Sequence, residues 1–238
     1  MGNSGSGTRK AADVPLEFPS ERLPLRRYYS VVLALARGSK RNRRPGLPEE
    51  LVLLICRFAN FHCLNPEYTV EENTEASVHA RDAQVASTMW ARSPALDARM
   101  ASHIHSIQLF TDSKHQGWVS NPSAGSWSWF EIGVCRVDEE SGNLNPKTQP
   151  DGSPAFWLSH DHPVRRQDGE DKDGYKLRAG KRFGVRHPIW DYVEEGDVLA
   201  VELKAQFPGW ANYVRRGVLR VSTWWQPSAT MLNFAYNK

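Results

Sequence analysis

The nine residues DVLAVELKA, Asp197–Ala205, give the clearest strand pattern in the sequence. Side chains alternate along them with the period of two that places successive residues on opposite faces of a β-strand. One predicted face carries only apolar residues: Leu199, Val201, Leu203 and Ala205. The other is mixed and carries Glu202 and Lys204 beside Val198 and Ala200. This pattern is typical of a strand that packs one face against a core.

Further short strands are predicted from His103 onward, each separated from the next by Gly, Pro, Asn and Asp residues typical of turns. They are HIHSIQLF at 103–110, SWSWFEIGV at 126–134, PAFWLSH at 154–160 and GVLRVSTWW at 217–225. No helical pattern lies between them. We therefore expect residues 101–238 to form a jelly-roll-like antiparallel β-sandwich, which makes the protein mainly β.

Residues 46–61, GLPEELVLLICRFANF, predict a short helix in front of this sandwich. Pro48 suits a helix start, and Glu49 and Glu50 complement the helix dipole. Apolar residues recur at helical spacing, at Leu51, Leu54, Ile55, Phe58 and Phe61. We expect this face to pack on the sandwich. Residues 47–100 would then comprise the helix and a polar connector, in which a second helix is considered around 77–89.

Residues 1–46 predict a basic, largely disordered arm, since they hold ten Lys and Arg residues against three acidic ones. The rest of the chain has 20 basic and 24 acidic residues. Gly2 and Ser6 match the N-myristoylation pattern, and the basic run Arg37–Arg44 would supply the second contact that stable membrane attachment needs. The alternative to membrane attachment is that residues 1–46 form a disordered tail whose charges are solvated. Nucleic-acid binding is disfavoured because the predicted folded part is acidic.

Length and composition indicate a globular protein with a sizeable core. Apolar runs are shorter than the roughly 18 residues of a membrane span, and the N-terminus does not resemble a secretory leader. We expect a cytoplasmic protein, with peripheral membrane attachment as an alternative. Cys56, Cys63 and Cys135 do not match a zinc module and are expected to be reduced thiols.

Catalytic and metal-binding residues are not predicted. His103 and His105, and His160 and His162, each have the His-x-His spacing that can chelate a metal on one strand face. The additional carboxylate spacing of a cupin-type site does not follow them, so hydrogen-bonded histidines are favoured. Nucleophile-elbow, phosphate-loop and dinucleotide motifs do not occur. We expect a non-enzymatic protein without a cofactor.

The tryptophan-rich segment supplies the candidate binding residues. Strand alternation places Phe130, Ile132 and Val134 on the core face of 126–134, and Trp127, Trp129 and Glu131 on the opposite face. We expect Trp118 to lie over that opposite face and Trp210 to be presented by a Pro-Gly turn. The favoured interpretation is that the predicted helix 47–61 or the connector covers the indoles. The alternative is an exposed aromatic surface that binds a sugar ring or a partner's side chain.

Two resemblances extend this interpretation. Leu47, Pro48, Glu50, Leu51 and Ile55 resemble the opening of an F-box, which implies docking to a cullin ubiquitin ligase; the further Leu-rich helix and Val-Cys-x-x-Trp signal of that family are missing. In addition, LPEELVL, HQGW, GSWSWFE, HPIW and GDVLAVELKAQFPGWANYV are similar to motifs of uncharacterised basidiomycete fungal proteins. His115 and Ser128 replace that group's Asp and Thr. The second resemblance spans Leu47–Val221 and implies a fungal source and a helix followed by a β-sandwich.

Together these observations predict a binding protein that recognises a protein partner through the aromatic face or the loops around it. Its candidate ligand-binding residues are Trp118, Trp127, Trp129, Glu131 and Trp210, and Gly2 is a candidate lipidation site. A carbohydrate-binding module and an F-box-like ubiquitin-ligase receptor are the alternatives.

Overall fold

The computed structural model describes residues 25–39, 41–119, 123, 125–138, 140–164 and 170–236. Over these residues the protein is mainly β, with two antiparallel sheets packed together and several short helices. The prediction of an antiparallel β-sandwich is confirmed. Gly2 and the first half of the predicted basic arm lie outside the described residues.

The first sheet is organised around its longest strand, β11 (Ala211–Trp224). On one side β11 pairs with β5 (Ile104–His115), which pairs in turn with β9 (Lys176–Phe183). Three short strands follow one another along the other side of β11. They are β1 (His62–Leu64), β2 (Val70–Glu72) and β3 (Ala76–His79). Short edge strands of this kind limit the backbone available for pairing with other chains.

The second sheet is organised around β6 (Ser128–Val137) and β10 (Asp197–Gln206), which pair with each other. On its far side β10 pairs with β4 (Val85–Arg92). The edge of β6 that faces away from β10 pairs with β8 (Phe156–Asp161) along the first half of β6 and with β7 (Leu144–Pro146) near the end of β6.

The core lies between the two sheets and follows the strand alternation in the sequence. Phe130, Ile132 and Val134 of β6 are fully buried there, as predicted. The predicted apolar face of β10 is also fully buried, at Leu199, Val201, Leu203 and Ala205. The first sheet contributes Ile107, Leu109, Leu219 and Val221, and Phe183 of β9 completes the layer. Burial of these side chains is the main source of stability of the sandwich.

The sandwich begins earlier than the sequence analysis predicted. Strands β1 to β4 lie within the residues interpreted as a connector, and the helix considered around 77–89 is wrong because β3 and β4 occupy those residues. These strands are short or half exposed, so their apolar residues alternate only weakly. A short helix, α3 (Ala98–His103), leads from β4 into β5. Its N-terminus is capped by Asp97, which accepts a hydrogen bond from the Met100 N–H.

Three helices form a separate cluster at one end of the first sheet. They are α1 (Leu25–Arg37), α2 (Glu49–Phe58) and α4 (Ala229–Tyr236). The prediction of a largely disordered arm over 1–46 is wrong for α1, which buries Tyr28, Val32 and Ala36 at helical spacing. The Tyr28 ring stacks on Phe61 with centroids 3.9 Å apart and also contacts Trp225.

Helix α2 occupies the predicted position, but it buries a different face. Val52 and Cys56 pack in the helical cluster, whereas Leu51 and Leu54 are each 47% exposed and Phe58 is 82% exposed. The helix has only ten residues and apolar side chains on two faces, so the periodicity could not choose between them. The contacts with α1 and Trp225 determine which face of the helix is buried.

The cysteines are free thiols, as predicted. Cys56 and Cys135 are buried, and Cys63 is half buried. Burial raises the pKa of Cys135 to about 12, and the charges of Glu202 and Asp197 act in the same direction. Cys135 is therefore a packed, unreactive thiol at neutral pH.

The stability of the sandwich can be tested at Leu203, which is fully buried between the sheets. We expect Leu203→Ala to lower the free energy of unfolding by about 2–5 kcal/mol, because it removes buried apolar contacts and leaves a cavity. Urea denaturation followed by circular dichroism measures this change. The matched control is Leu158→Ala, because Leu158 is 40% exposed on the outer face of the second sheet. Equal losses in the two variants would contradict the described core.

Candidate binding groove

A shallow groove lies on the outer face of the second sheet, near the start of β6. Because Phe130 and Ile132 point into the core, Trp129 and Glu131 point outward, as the strand alternation predicted. Trp127 precedes the strand and lies on the same side. The groove is open to solvent and encloses about 330 Å³. It is lined by Ser126, Trp127, Trp129, Glu131, Leu158, Asp161 and Gln206.

Neighbouring strands supply the two sides of the groove. Trp129 lies opposite Asp161 of β8 and opposite Lys204 of β10. Glu131 lies opposite Leu158 of β8, after a register shift between Phe130 and Glu131. Gln206 extends the outward face of β10 beyond Lys204. Side chains that are directly opposite on adjacent strands have Cβ atoms about 5 Å apart, so these groups form one continuous surface.

The Trp129 ring is held by a chain of polar contacts across the sheet. Its indole Nε1–H donates to Glu131 Oε1 at 2.7 Å. Glu131 Oε2 in turn lies 2.7 Å from Lys204 Nζ, which is also 3.1 Å from Glu202 Oε2. All three charged side chains are less than one fifth exposed. The orientation of the indole is therefore set before any ligand binds.

Lys204 offsets part of the negative charge of the two carboxylates that it contacts. Burial by itself lowers the pKa of Lys204, but its contacts with Glu131 and Glu202 outweigh that effect, so the pKa is raised. Lys204 is consequently charged throughout the physiological pH range. Glu131 and Glu202 are directly opposite each other on β6 and β10, where two carboxylates would repel without the ammonium group between them.

The other half of the same sheet face is covered by the protein itself. Phe156 lies directly over Gly133, where a Cβ atom would come within 2.5 Å of the ring. Phe156 packs there with Cys135, Val198 and Ala200 in a small outer cluster. The covered half explains why the mixed face of β10 begins with Val198 and Ala200 and turns polar at Glu202. Only the half that carries the two tryptophans opens into the groove.

The favoured expectation that helix 47–61 or the connector covers the indoles is wrong, because residues 47–100, all of which the structure describes, do not line the groove. Helix α2 packs on α1 and Trp225 in the helical cluster, and its residues do not line the groove. The apolar face of α2 packs on α1, which lies in the arm that was predicted to be largely disordered. Trp127 and Trp129 are therefore half exposed, and the alternative of an accessible aromatic surface describes the structure.

The remaining two predicted tryptophans lie at the adjacent end of the sandwich. Trp118 is 60% exposed and lies against Gly209 in the turn between β10 and β11, rather than over Trp127 and Trp129 as expected. Trp210 follows that turn, as predicted, and is half buried beside His115, with ring centroids 6.1 Å apart. The same turn contains Phe207, whose ring contacts Trp127 edge-on at 4.6 Å. The turn thus connects the groove to the loop that carries Trp118.

Sequence reasoning missed four groove residues: Ser126, Leu158, Asp161 and Gln206. Gln206 could have been found, since it continues the outward register of Glu202 and Lys204 on β10. Leu158 and Asp161 could not, because the register shift in the β6–β8 pairing decides which of them faces Trp129.

The two histidines of the HDH segment belong to a hydrogen-bonded network, in which His162 is fully buried and His160 is half buried. His162 lies between two serines, with Nε2 3.1 Å from Ser113 Oγ and Nδ1 3.0 Å from Ser128 Oγ. His160 Nε2 is 2.9 Å from Thr111 Oγ1. Within the part of the chain that the structure describes, His, Cys, Asp and Glu do not form a cluster of three suited to a metal ion.

Burial dominates the electrostatics of these two histidines. It lowers the pKa of His160 to about 3, assisted by the charge of Arg178. It also lowers the pKa of His162 well below its ordinary value, with further contributions from His160, Arg178 and His115. Both rings are therefore neutral at physiological pH, and they serve as hydrogen-bonding groups of the core.

The basic run Arg37–Arg44 is described except for Lys40. Arg37 donates to the Phe234 carbonyl and stacks over its ring, so it joins α1 to α4. Arg41, Arg43 and Arg44 are exposed. Among the described residues, no helix has both the length and the apolar composition needed to cross a bilayer.

Comparison with known proteins does not assign the chain to a family. Family models do not match the sequence, and curated proteins do not match it significantly. The function must therefore be argued from the groove and the surfaces around it.

The buried histidine pair predicts a loss of stability in mild acid. A histidine whose pKa is lowered by folding stabilises the protein above its unfolded pKa of about 6.5, and that contribution is lost as the pH falls. Between pH 7 and pH 5 we expect His160, whose pKa is lowered to about 3, to cost about 2 kcal/mol of unfolding free energy, and we expect His162 to act in the same direction. Urea denaturation at the two pH values measures this loss.

The matched variants for this measurement are His162→Gln and His79→Gln. The first should reduce the acid sensitivity, because glutamine does not titrate. The second should leave it unchanged, since His79 is exposed on β3. A wild-type protein that is equally stable at both pH values would contradict the assignment of neutral, buried rings.

Proposed function

We propose that this protein is a non-enzymatic binding protein whose recognition surface is the aromatic groove on the second sheet. The observation that carries the proposal is the pair of half-exposed indoles, Trp127 and Trp129, on a rigid sheet. Tryptophan is enriched among the residues that contribute most to binding energy at protein interfaces. A protein partner is the leading ligand class.

Preorganisation supports this function. Binding is weakened when side chains must be ordered at the interface, which costs about 0.5–1.5 kcal/mol for each flexible side chain. The Trp129 ring is already fixed by Glu131 and Lys204, and Trp127 is braced by Phe207. The groove can therefore bind a ligand with little of this cost.

The exposed Trp118 offers a second contact for the same partner. It lies on the turn that connects to Phe207 and the groove. A partner that fills the groove and extends around this end of the sandwich would reach it. We propose that Trp118 contributes at the edge of the interface, where partial solvent exposure weakens each contact.

A carbohydrate ligand is the alternative for the same groove. Indole faces stack on sugar rings, and the carboxylates and Gln206 supply hydrogen-bonding groups. The protein partner is favoured because the groove is shallow and continues along the turn toward Trp118, which suits a broad contact area.

The proposed groove can be tested with Trp129→Ala. We expect the variant to remain folded and to lose at least tenfold in affinity for a specific partner, because the indole supplies exposed apolar area at the centre of the groove. Proteins captured by the wild type and the variant are compared by quantitative mass spectrometry. The affinity of each candidate is then measured with purified components by calorimetry.

The control is Leu177→Ala, which removes an exposed apolar side chain from β9 on the other sheet. It should retain the partner at wild-type affinity. Circular dichroism checks that both variants are folded. If the partner binds both variants as well as the wild type, the groove is not the recognition surface.

A second candidate function is docking to a cullin adaptor through α2. The observation that favours it is the exposure of Leu51, Leu54 and Phe58, which recur at i, i+3 and i+7 on one side of the helix. Leu51 belongs to the residues that resemble an F-box. An exposed apolar helix face of this spacing suits insertion into a groove of a partner. This candidate is compatible with the first, since a ligase receptor needs both an adaptor contact and a recognition surface.

Adaptor docking predicts that Leu51→Asp with Phe58→Asp abolishes binding of a purified cullin adaptor, because each change places a charge in an apolar contact. Both side chains are exposed, so the double variant should stay folded. The control is Val85→Asp, which changes an exposed apolar residue on β4. Calorimetry with the wild-type chain decides the question, since absence of adaptor binding there contradicts this candidate.

A further inference from the structure

We propose that the aromatic groove binds an arginine side chain of a basic segment of the partner, with its guanidinium stacked on Trp129 and paired with Asp161. The inference rests on the proposed function and specifies its ligand. It follows from the charges, the shape and the strand register of the groove.

The charge of the groove favours a cation. Two of its seven lining residues are acidic, Glu131 and Asp161, and basic residues are not among them. Lys204 lies beside the groove, where it is shared by Glu131 and Glu202. These four side chains carry three negative charges and one positive charge, and Arg178, whose charge interacts with Asp161, is itself paired with Glu170 at 3.6 Å. The excess of negative charge disfavours acidic ligands and attracts basic ones.

Asp161 is the carboxylate placed to pair with such a ligand. Glu131 is already engaged by the Trp129 indole and by Lys204. Asp161 is exposed and points to the same side as Trp129, since His160 beside it points into the core. The register places it directly opposite Trp129, so the two Cβ atoms are about 5 Å apart. A guanidinium within about 6 Å of the indole centroid is therefore also within reach of the carboxylate.

The shape of the groove favours arginine over lysine. The aromatic side chains form an open platform along one strand rather than a cage around a point. A planar guanidinium can stack on one indole face and donate two parallel hydrogen bonds to a carboxylate in nearly the same plane. An ammonium group is a compact, strongly hydrated charge and gains less from an open surface. The stem of the arginine would pack on Leu158, which is 40% exposed.

The test uses two peptides that differ at one side chain: acetyl-Gly-Ser-Arg-Ser-Gly-amide and the same peptide with citrulline in place of arginine. Citrulline is planar and nearly isosteric but neutral. The full chain, labelled with ¹⁵N, is titrated with each peptide, and the indole N–H signals are followed by NMR. Trp129→Phe and Trp127→Phe assign those signals. Cellohexaose and maltohexaose serve as carbohydrate probes.

We expect the arginine peptide to shift the Trp129 indole signal with at least tenfold higher affinity than the citrulline peptide. Asp161→Asn should remove most of this difference. Asp191→Asn should preserve it, because Asp191 is exposed far along the chain from the groove and does not line it. Both changes are exposed and nearly isosteric, so neither should affect folding.

The other outcomes separate the inference from the proposed function. Equal affinity for the two peptides, or an unchanged preference in Asp161→Asn, overturns the arginine pairing. Shifts of the indole signals by an oligosaccharide alone overturn the ligand class, while the groove remains a binding site. If no probe shifts either indole signal, the arginine inference fails; the proposed function fails as well only if Trp129→Ala retains the partner.

Discussion

The alternation of side chains along β6 is the constraint on which the rest of the site depends. Phe130, Ile132 and Val134 are fully buried between the sheets, and their apolar area holds the strand in one register. A shift of one residue would exchange the two faces, placing Glu131 in the core and Phe130 in solvent. The same apolar contacts that stabilise the sandwich therefore keep Trp129 and Glu131 on its outside. The groove is a consequence of the core.

The outer face of the second sheet shows how one surface is divided between packing and recognition. In its middle, β6 carries Gly133, and the missing side chain allows Phe156 to lie over the strand. Near its start, it carries Trp129, which is turned toward Glu131 and exposes part of its ring. Lys204 separates two carboxylates at the boundary. A charged network of this kind is a costly way to stabilise a fold, so its specific value here is to fix the position of the indole.

The sequence predicted the sandwich because long central strands carry strong alternation. In β6 and β10 every residue that the pattern assigned to the core face is buried between the sheets, and the outward position of Trp127, Trp129 and Glu131 followed from the same pattern. Strands β1 to β4 escaped prediction, since β1 to β3 have only three or four residues each and β4 is largely exposed, so they carry little periodic signal. Helix α1 was missed for a related reason: its basic residues dominated the composition and concealed the spacing of Tyr28, Val32 and Ala36.

The sequence by itself determined which residues form the core of each long strand and which side of β6 carries the tryptophans, because both follow from local periodicity. Only the tertiary structure decided whether those tryptophans are covered, since their exposure depends on which element the apolar face of α2 packs against. Helix α2 packs on α1 and Trp225, so the indoles of Trp127 and Trp129 remain accessible. The tertiary structure also brought Asp161 beside Trp129 through a register shift between β6 and β8. Contacts between strands distant in sequence are set by the packing of the whole sheet, and no local pattern encodes them.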